Sequence, residues 1–148
     1  MSAFLLKNEW ILAFDFRYNK DLAREHLRAA KEFYETAKLA LSQDSIRPFI
    51  DNLFSAIELL AKSELLLMPD KDFYEKATHK GIQCRYNQHV NLGNAKVEYK
   101  SALNKLASLR NLARYLKSEL RLGPNDEQEF LKTAMDMIDY IENRINAS

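Results

Sequence analysis

The chain has 148 residues, 47% of them hydrophobic and 29% charged, which excludes a disordered or membrane composition and is enough for one domain with a buried core. Its formal net charge of +1 gives no overall field for nucleic acid, so any anion binding needs a local patch. Only 3 Gly and 3 Pro disfavour a turn-dense β fold, and the single Cys84 allows no internal disulfide, which suits a reducing cytoplasm.

The apolar opening "MSAFLLKNEWILAF" is interrupted by Lys7, Asn8 and Glu9. It lacks a basic start and a small-residue cleavage site, so a signal peptide is not expected, and no run reaches the length of a membrane span. Trp10, Leu12, Phe14, Phe16 and Tyr18 alternate with Ile11, Ala13, Asp15 and Arg17. That period of two predicts an extended arm over residues 1–18, lying across the rest of the protein or pairing with the same arm of a second subunit.

Residues 19–148 read as one helical domain. Ala23, Leu27, Ala30, Tyr34, Ala37 and Leu41 step by three and four, one face of an amphipathic helix. The break "SQDS" offers Asp44 or Ser45 as a cap for the next helix, with Pro48 in its first turn. That helix, over residues 46–68, is apolar around much of its circumference, through Ile46, Phe49, Ile50, Leu53, Phe54, Ile57 and Leu60, and belongs at the centre. A short helix is expected over 81–91, closed by Gly93 in the left-handed conformation. A third long helix is expected over 95–121, with the stripe Ala102, Leu106, Leu109, Ala113, Leu116 and Leu120. Gly123 suits its C-terminal cap, and Asn125 with Gln128 resembles a capping box for the last helix, 126–146. The fold class is all-α: an up-and-down bundle of four long helices plus a short one, with an extended N-terminal arm.

Charge is uneven. The third long helix carries seven basic residues against two acidic, and the last helix six acidic against two basic. The two are expected to pair across the bundle surface in preference to forming a dedicated phosphate-binding face. No glycine-rich phosphate loop, nucleophile elbow or metal-spaced His/Cys cluster occurs in the sequence, so neither a cofactor nor a metal is expected.

Arg110 and Arg114 are four apart on one helical face, and Asn111 and Tyr115 share the adjoining one with Asn104, Ser108 and Ser118. A guanidinium fork suits phosphate, so Arg110, Asn111, Arg114 and Tyr115 are the ligand-binding candidates. The competing reading is a hydrogen-bonded helix or subunit seam. Asp51, Ser55, Glu58 and Lys62 form a polar row on the central helix. Glu58 and Lys62 are spaced as an i, i+4 pair and are supporting residues, and Arg110 is the expected partner of Glu58.

Three stretches, "LFSAIELLAKSELLL" (53–67), "THKGIQCRYNQHVNLG" (78–93) and "LASLRNLARYLKSEL" (106–120), resemble the HEPN domain in content and order, over about residues 20–146. The resemblance implies a bundle that dimerises with its arginine-bearing helices together. Many members are metal-independent ribonucleases with an Arg, four to six residues and a His, the Arg commonly followed by Asn; others bind nucleotides or partner a minimal nucleotidyltransferase in toxin–antitoxin pairs. Arg110 matches the motif arginine and Asn111 its follower, but Tyr115 stands at the histidine position. A phenol is a poor general base near neutral pH, so Arg110 and Tyr115 make an incomplete catalytic pair. The sequence is therefore similar to the branch whose members are not generally ribonucleases. The expectation is a cytoplasmic, homodimeric module that binds nucleotide, RNA or a protein partner. The alternatives are a ribonuclease toxin recruiting His79 or His89, and a purely structural dimeric bundle.

Overall fold

A computed structural model of the chain describes the backbone of residues 3–68, 78–115, 120, 122, 123 and 125–147, and side chains from residue 18 onward. It is all-helical: α1 (Ala3–Ser42), α2 (Ile46–Leu66), α3 (His79–Asn91), α4 (Val97–Arg114) and α5 (Asp126–Ala147). No strand occurs among the described residues.

The extended arm is overturned. Residues 3–18 are the first turns of α1, which runs unbroken to Ser42. The alternation is real, but no proline precedes Pro48 and no glycine precedes Gly81, so nothing in the sequence stops a helix that continues into a strongly amphipathic segment.

The α1 face ends in a turn in which the Asp44 and Ser45 N–H groups donate to the carbonyls of Leu41 (3.0 Å) and Ala40 (2.9 Å). Asp44 sits there at φ 55°, a left-handed position that aspartate tolerates better than most residues. Ser45 occupies the N-cap position of α2 without a side-chain capping bond, so the backbone turn, rather than a cap, sets the break.

Helix α2 packs against all four other helices, as its all-round apolar character requires. Phe49, Ile50, Leu53, Ile57 and Leu60 are fully buried, each worth about 1.5–3 kcal/mol in removed apolar surface. Ser63 Oγ donates to the Ala23 carbonyl of α1 (2.8 Å), and Lys31 of α1 pairs with Glu142 of α5 (2.8 Å). With Arg47 at Ala113 and Asp51 at Arg110, Tyr99 at Asp136 and Leu109 by Asp126, and His79 at Glu58 and His89 at Glu64, α1, α2, α4 and α5 form an up-down-up-down set, with α3 running parallel to α2.

Thr78 caps α3 by accepting from the Gly81 N–H (3.0 Å), and Gly93 closes its far end at φ 86°. Helix α4 ends seven residues before the expected position, with Tyr115 extended at φ −90°, ψ 107°. The cause is non-local: Arg47, from the first turn of α2, donates to the Ala113 carbonyl and reaches the Tyr115 carbonyl at 3.4 Å. It thereby satisfies helix-end carbonyls with a cation that complements the dipole. The expected continuation through Leu116 lies outside the described residues; Leu120 packs on the core from beyond it.

Gly123 is not a left-handed cap. Its N–H donates to the Asp126 carboxylate (2.7 Å), and a Cβ there would meet that oxygen at 2.8 Å, so a larger residue would push the Asp126 side chain aside. This bond opens α5 in place of an Asn125–Gln128 capping box. Phe130, Ala134, Ile138, Ile141 and Ile145 are buried as their spacing predicts, joined by Met137.

Candidate functional site

The C-terminal end of α4 meets the N-terminal half of α2. Arg110 lies there with its side chain 18% exposed, its Nε donating to Asp51 Oδ1 (3.0 Å) and its guanidinium carbon 5.0 Å from the centre of the Phe54 ring. Arg114, one turn on and 60% exposed, reaches the same carboxylate oxygen at 3.4 Å. The i, i+4 spacing thus places both arginines on one face. Asp51 orients them, while the ring beneath Arg110 adds a cation–π contact. Among the described residues, the terminal amino groups of Arg110 have no hydrogen-bond partner.

The expected Arg110–Glu58 pair does not form. Helices α2 and α4 run antiparallel in the register set by Arg47 against Ala113. That register puts Asp51 opposite Arg110 and places Glu58 two turns further along. The Glu58 carboxylate instead accepts from His79 Nδ1 of α3 (2.5 Å), and no Glu58–Lys62 ion pair occurs among the described residues.

His79 is 63% exposed, and its ring centre lies 5.9 Å from that of Phe54. Phe54 is therefore flanked by the guanidinium of Arg110 and the imidazole of His79. A carboxylate accepting from Nδ1–H fixes the tautomer and leaves Nε2 as the outward acceptor of the neutral ring. The other two histidines are elsewhere: His26 Nδ1 bonds the Leu22 carbonyl on α1 (2.9 Å), and His89 is buried. His89 Nε2 donates to Glu64 Oε2 (2.9 Å), Tyr86 Oη donates to Glu64 Oε1 (3.0 Å), and Arg144 stands 3.8 Å from the same carboxylate. Burial and the facing carboxylate push the Tyr86 phenol well above its usual range, so this network stays protonated at the tyrosine and serves packing rather than surface chemistry.

The polar row of α4 divides. Asn104 is bonded to α3, accepting from Gln83 Nε2 (2.6 Å) and donating to Asn87 Oδ1 (3.0 Å). Ser108 and Asn111 are exposed, as is Tyr115 at 66%; Ser118 lies outside the described residues.

Among the described residues, the expected pairing of basic α4 with acidic α5 is realised at the N-terminal end of α4. Lys96, the residue preceding α4, meets Asp136 at 2.9 Å, and Tyr99 Oη donates to the same oxygen (2.6 Å). The Tyr99 hydrogen bond first, then Lys96, hold the Asp136 carboxyl below its usual value. Arg110 and Arg114 turn to Asp51 of α2 instead. Among the described residues no group of three or more His, Cys, Asp or Glu could hold a metal ion, and no helix is long and apolar enough to cross a membrane.

The participants that the sequence reading left unassigned are Asp51 as the arginine partner, Phe54 as the shared ring, Arg47 as the cap of α4, and His79 as the partner of Glu58. The arrangement can offer an oriented guanidinium pair to an anion, with an exposed imidazole nearby. Comparison with protein-family models, with curated proteins and with solved structures finds no match.

Proposed function

We propose that the protein is a HEPN-like homodimeric module of the cytoplasm that binds nucleotide or RNA through phosphate at Arg110 and Arg114, without catalysis of its own. Asn111 and Tyr115 border the site and contact ribose or base, and Asp51, not the expected Glu58 and Lys62, supports it from α2. The observation that carries the reading is the fixing of Arg110 by Asp51 and Phe54. A guanidinium immobilised beforehand loses less entropy when it grips a phosphate. In the toxin–antitoxin setting the resemblance implies, a minimal nucleotidyltransferase is the partner of this module. Arg110→Ala tests the site by isothermal titration with nucleotide or short RNA. Arg114 still reaches Asp51 in that variant, so helix content is retained while affinity falls at least tenfold; unchanged affinity would refute the assignment.

A second reading, the metal-independent ribonuclease, is favoured by one observation: the Glu58–His79 pair, whose imidazole shares the Phe54 ring with Arg110. In that reading His79 Nε2 removes the proton of a ribose 2′-hydroxyl, whose oxygen attacks the adjacent phosphorus. The 5′-oxygen departs with a proton from solvent, and Arg110 stabilises the charge on phosphorus. His89, buried on Glu64, has no part in it. Incubation with total RNA decides: cleavage lost in His79→Ala establishes the enzyme, and intact RNA returns the protein to binding alone.

A further inference from the structure

From Thr78 to Tyr115 the sequence holds seven Lys and Arg and seven Asn and Gln, but one carboxylate, Glu98. The near-neutral whole chain conceals this local excess, and the fold sets Lys80, Lys100, Arg110 and Arg114 along α3 and α4, while Lys96 turns to Asp136 of α5 and Lys105 to the α4–α5 groove. Lys80, Gln83, Asn87 and Asn91 fall in one row of α3 at i, i+3, i+7 and i+11. That row meets α4 in antiparallel register. Lys100 Nζ donates to Asn91 Oδ1 (2.8 Å), and Asn104 bonds both Asn87 (3.0 Å) and Gln83 (2.6 Å). Followed along α4, the seam arrives at Asn111, Arg114 and Arg110. Glu98 lines a groove with Asp126 and Glu129 of α5, which Asn104 also borders. Among the described residues, the acidic groups Asp51 and Glu58 at the arginine end already bond Arg110 and His79.

We propose that the α3–α4 seam is a track for a single strand of nucleic acid, with Arg110 and Arg114 holding phosphate at one end and Lys100 and Lys80 extending the grip beyond it. This rests on the phosphate reading of Arg110 and names the ligand as a polynucleotide in place of a free mononucleotide. A side-chain amide offers two donors and two acceptor lone pairs. The bonds within the seam use only part of that capacity; Asn91 is exposed and Gln83, Asn87 and Asn104 are half-buried, which leaves amide edges for sugars and bases. A row of amides between cations suits a chain that alternates charge with polar edges better than it suits an acidic peptide, which needs cations throughout. Lys100 to Arg114 spans about 21 Å of helix, or roughly six nucleotides at the stacked spacing.

The test uses the full-length protein and fluorescence anisotropy of a fluorescein-labelled uridine decamer, with unlabelled decamer and UMP as competitors at several salt concentrations. The decamer is expected to bind at least 100-fold more tightly than UMP, with a log–log salt slope near −3 for four engaged cations at about 0.7 each. Lys80→Ala with Lys100→Ala should cut the decamer's advantage about tenfold and bring the slope to about −1.4, with an unchanged far-UV CD spectrum showing that the helices persist. A decamer no tighter than UMP, or a slope indifferent to both lysines, would overturn the track. Loss of both ligands in Arg110→Ala alongside either result would leave the phosphate site standing, whereas an Arg110→Ala variant that binds both normally would remove the site on which the track depends.

Discussion

Glu64 is fully buried and accepts from Tyr86 Oη and His89 Nε2, with Arg144 at 3.8 Å. Glu64→Leu keeps an apolar side chain of similar length but strips two buried donors of their acceptor. Each orphaned group costs about 1–3 kcal/mol, and breaking a buried charged pair from one side costs about 3–5 kcal/mol. Arg144 is partly exposed and turns to water, so the loss falls on Tyr86 and His89, and a total near 4 kcal/mol is expected from these ranges. That is a large share of the roughly 5–15 kcal/mol that holds a domain of this size, and it corresponds to a fall in Tm of about 8–16 °C. Urea denaturation followed by far-UV CD measures it. The triple variant Glu64→Leu, Tyr86→Phe, His89→Leu removes donors and acceptor together and should recover most of the loss, because satisfied polar clusters and apolar replacements differ little in net stability. A Glu64→Leu protein within 1 kcal/mol of wild type would refute the claim that this carboxylate organises the α2–α3 contact.

Asp136 titrates below its ordinary value because Tyr99 and Lys96 bond its charged form. Its contribution to stability is therefore present above the unfolded value of 3.8 and lost as pH falls through the folded one, so the stability gap between wild type and Asp136→Asn should shrink between about pH 4 and pH 2; a constant gap in acid titrations would contradict this. Gly93→Ala forces a side chain into φ 86° and should cost about 1 kcal/mol in thermal unfolding although nothing lies within 4 Å of the added Cβ. Asp44→Gly relieves the opposite condition at φ 55° and should gain up to about 1 kcal/mol, measured the same way.

The helices were legible because their apolar residues recur with helical period: Ala23 to Ala37 and Phe130 to Ile145 are buried as the spacing requires. What the sequence hid was non-local. The apolar stripe of α4 runs on past Arg114, and only Arg47 arriving from α2 explains the stop. The arginine face was legible from i, i+4 spacing, but choosing Asp51 over Glu58 as its partner needs the α2–α4 register, which no local pattern encodes. His79 lay in a segment with little apolar rhythm, so its approach to Glu58 was invisible until α3 was placed parallel to α2. At the N-terminus the alternation of aromatic and aliphatic residues outweighed the absence of any helix breaker, and α1 shows which signal prevails.

Native mass spectrometry of the protein as purified from cells tests the central claim most directly. The account predicts a dimer carrying nucleotide or short RNA in the wild type, and the same dimer stripped of it in Arg110→Ala. A monomer would contradict the homodimer, and a wild-type protein that is free of ligand and takes up none when nucleotide and RNA are supplied would contradict the phosphate site itself.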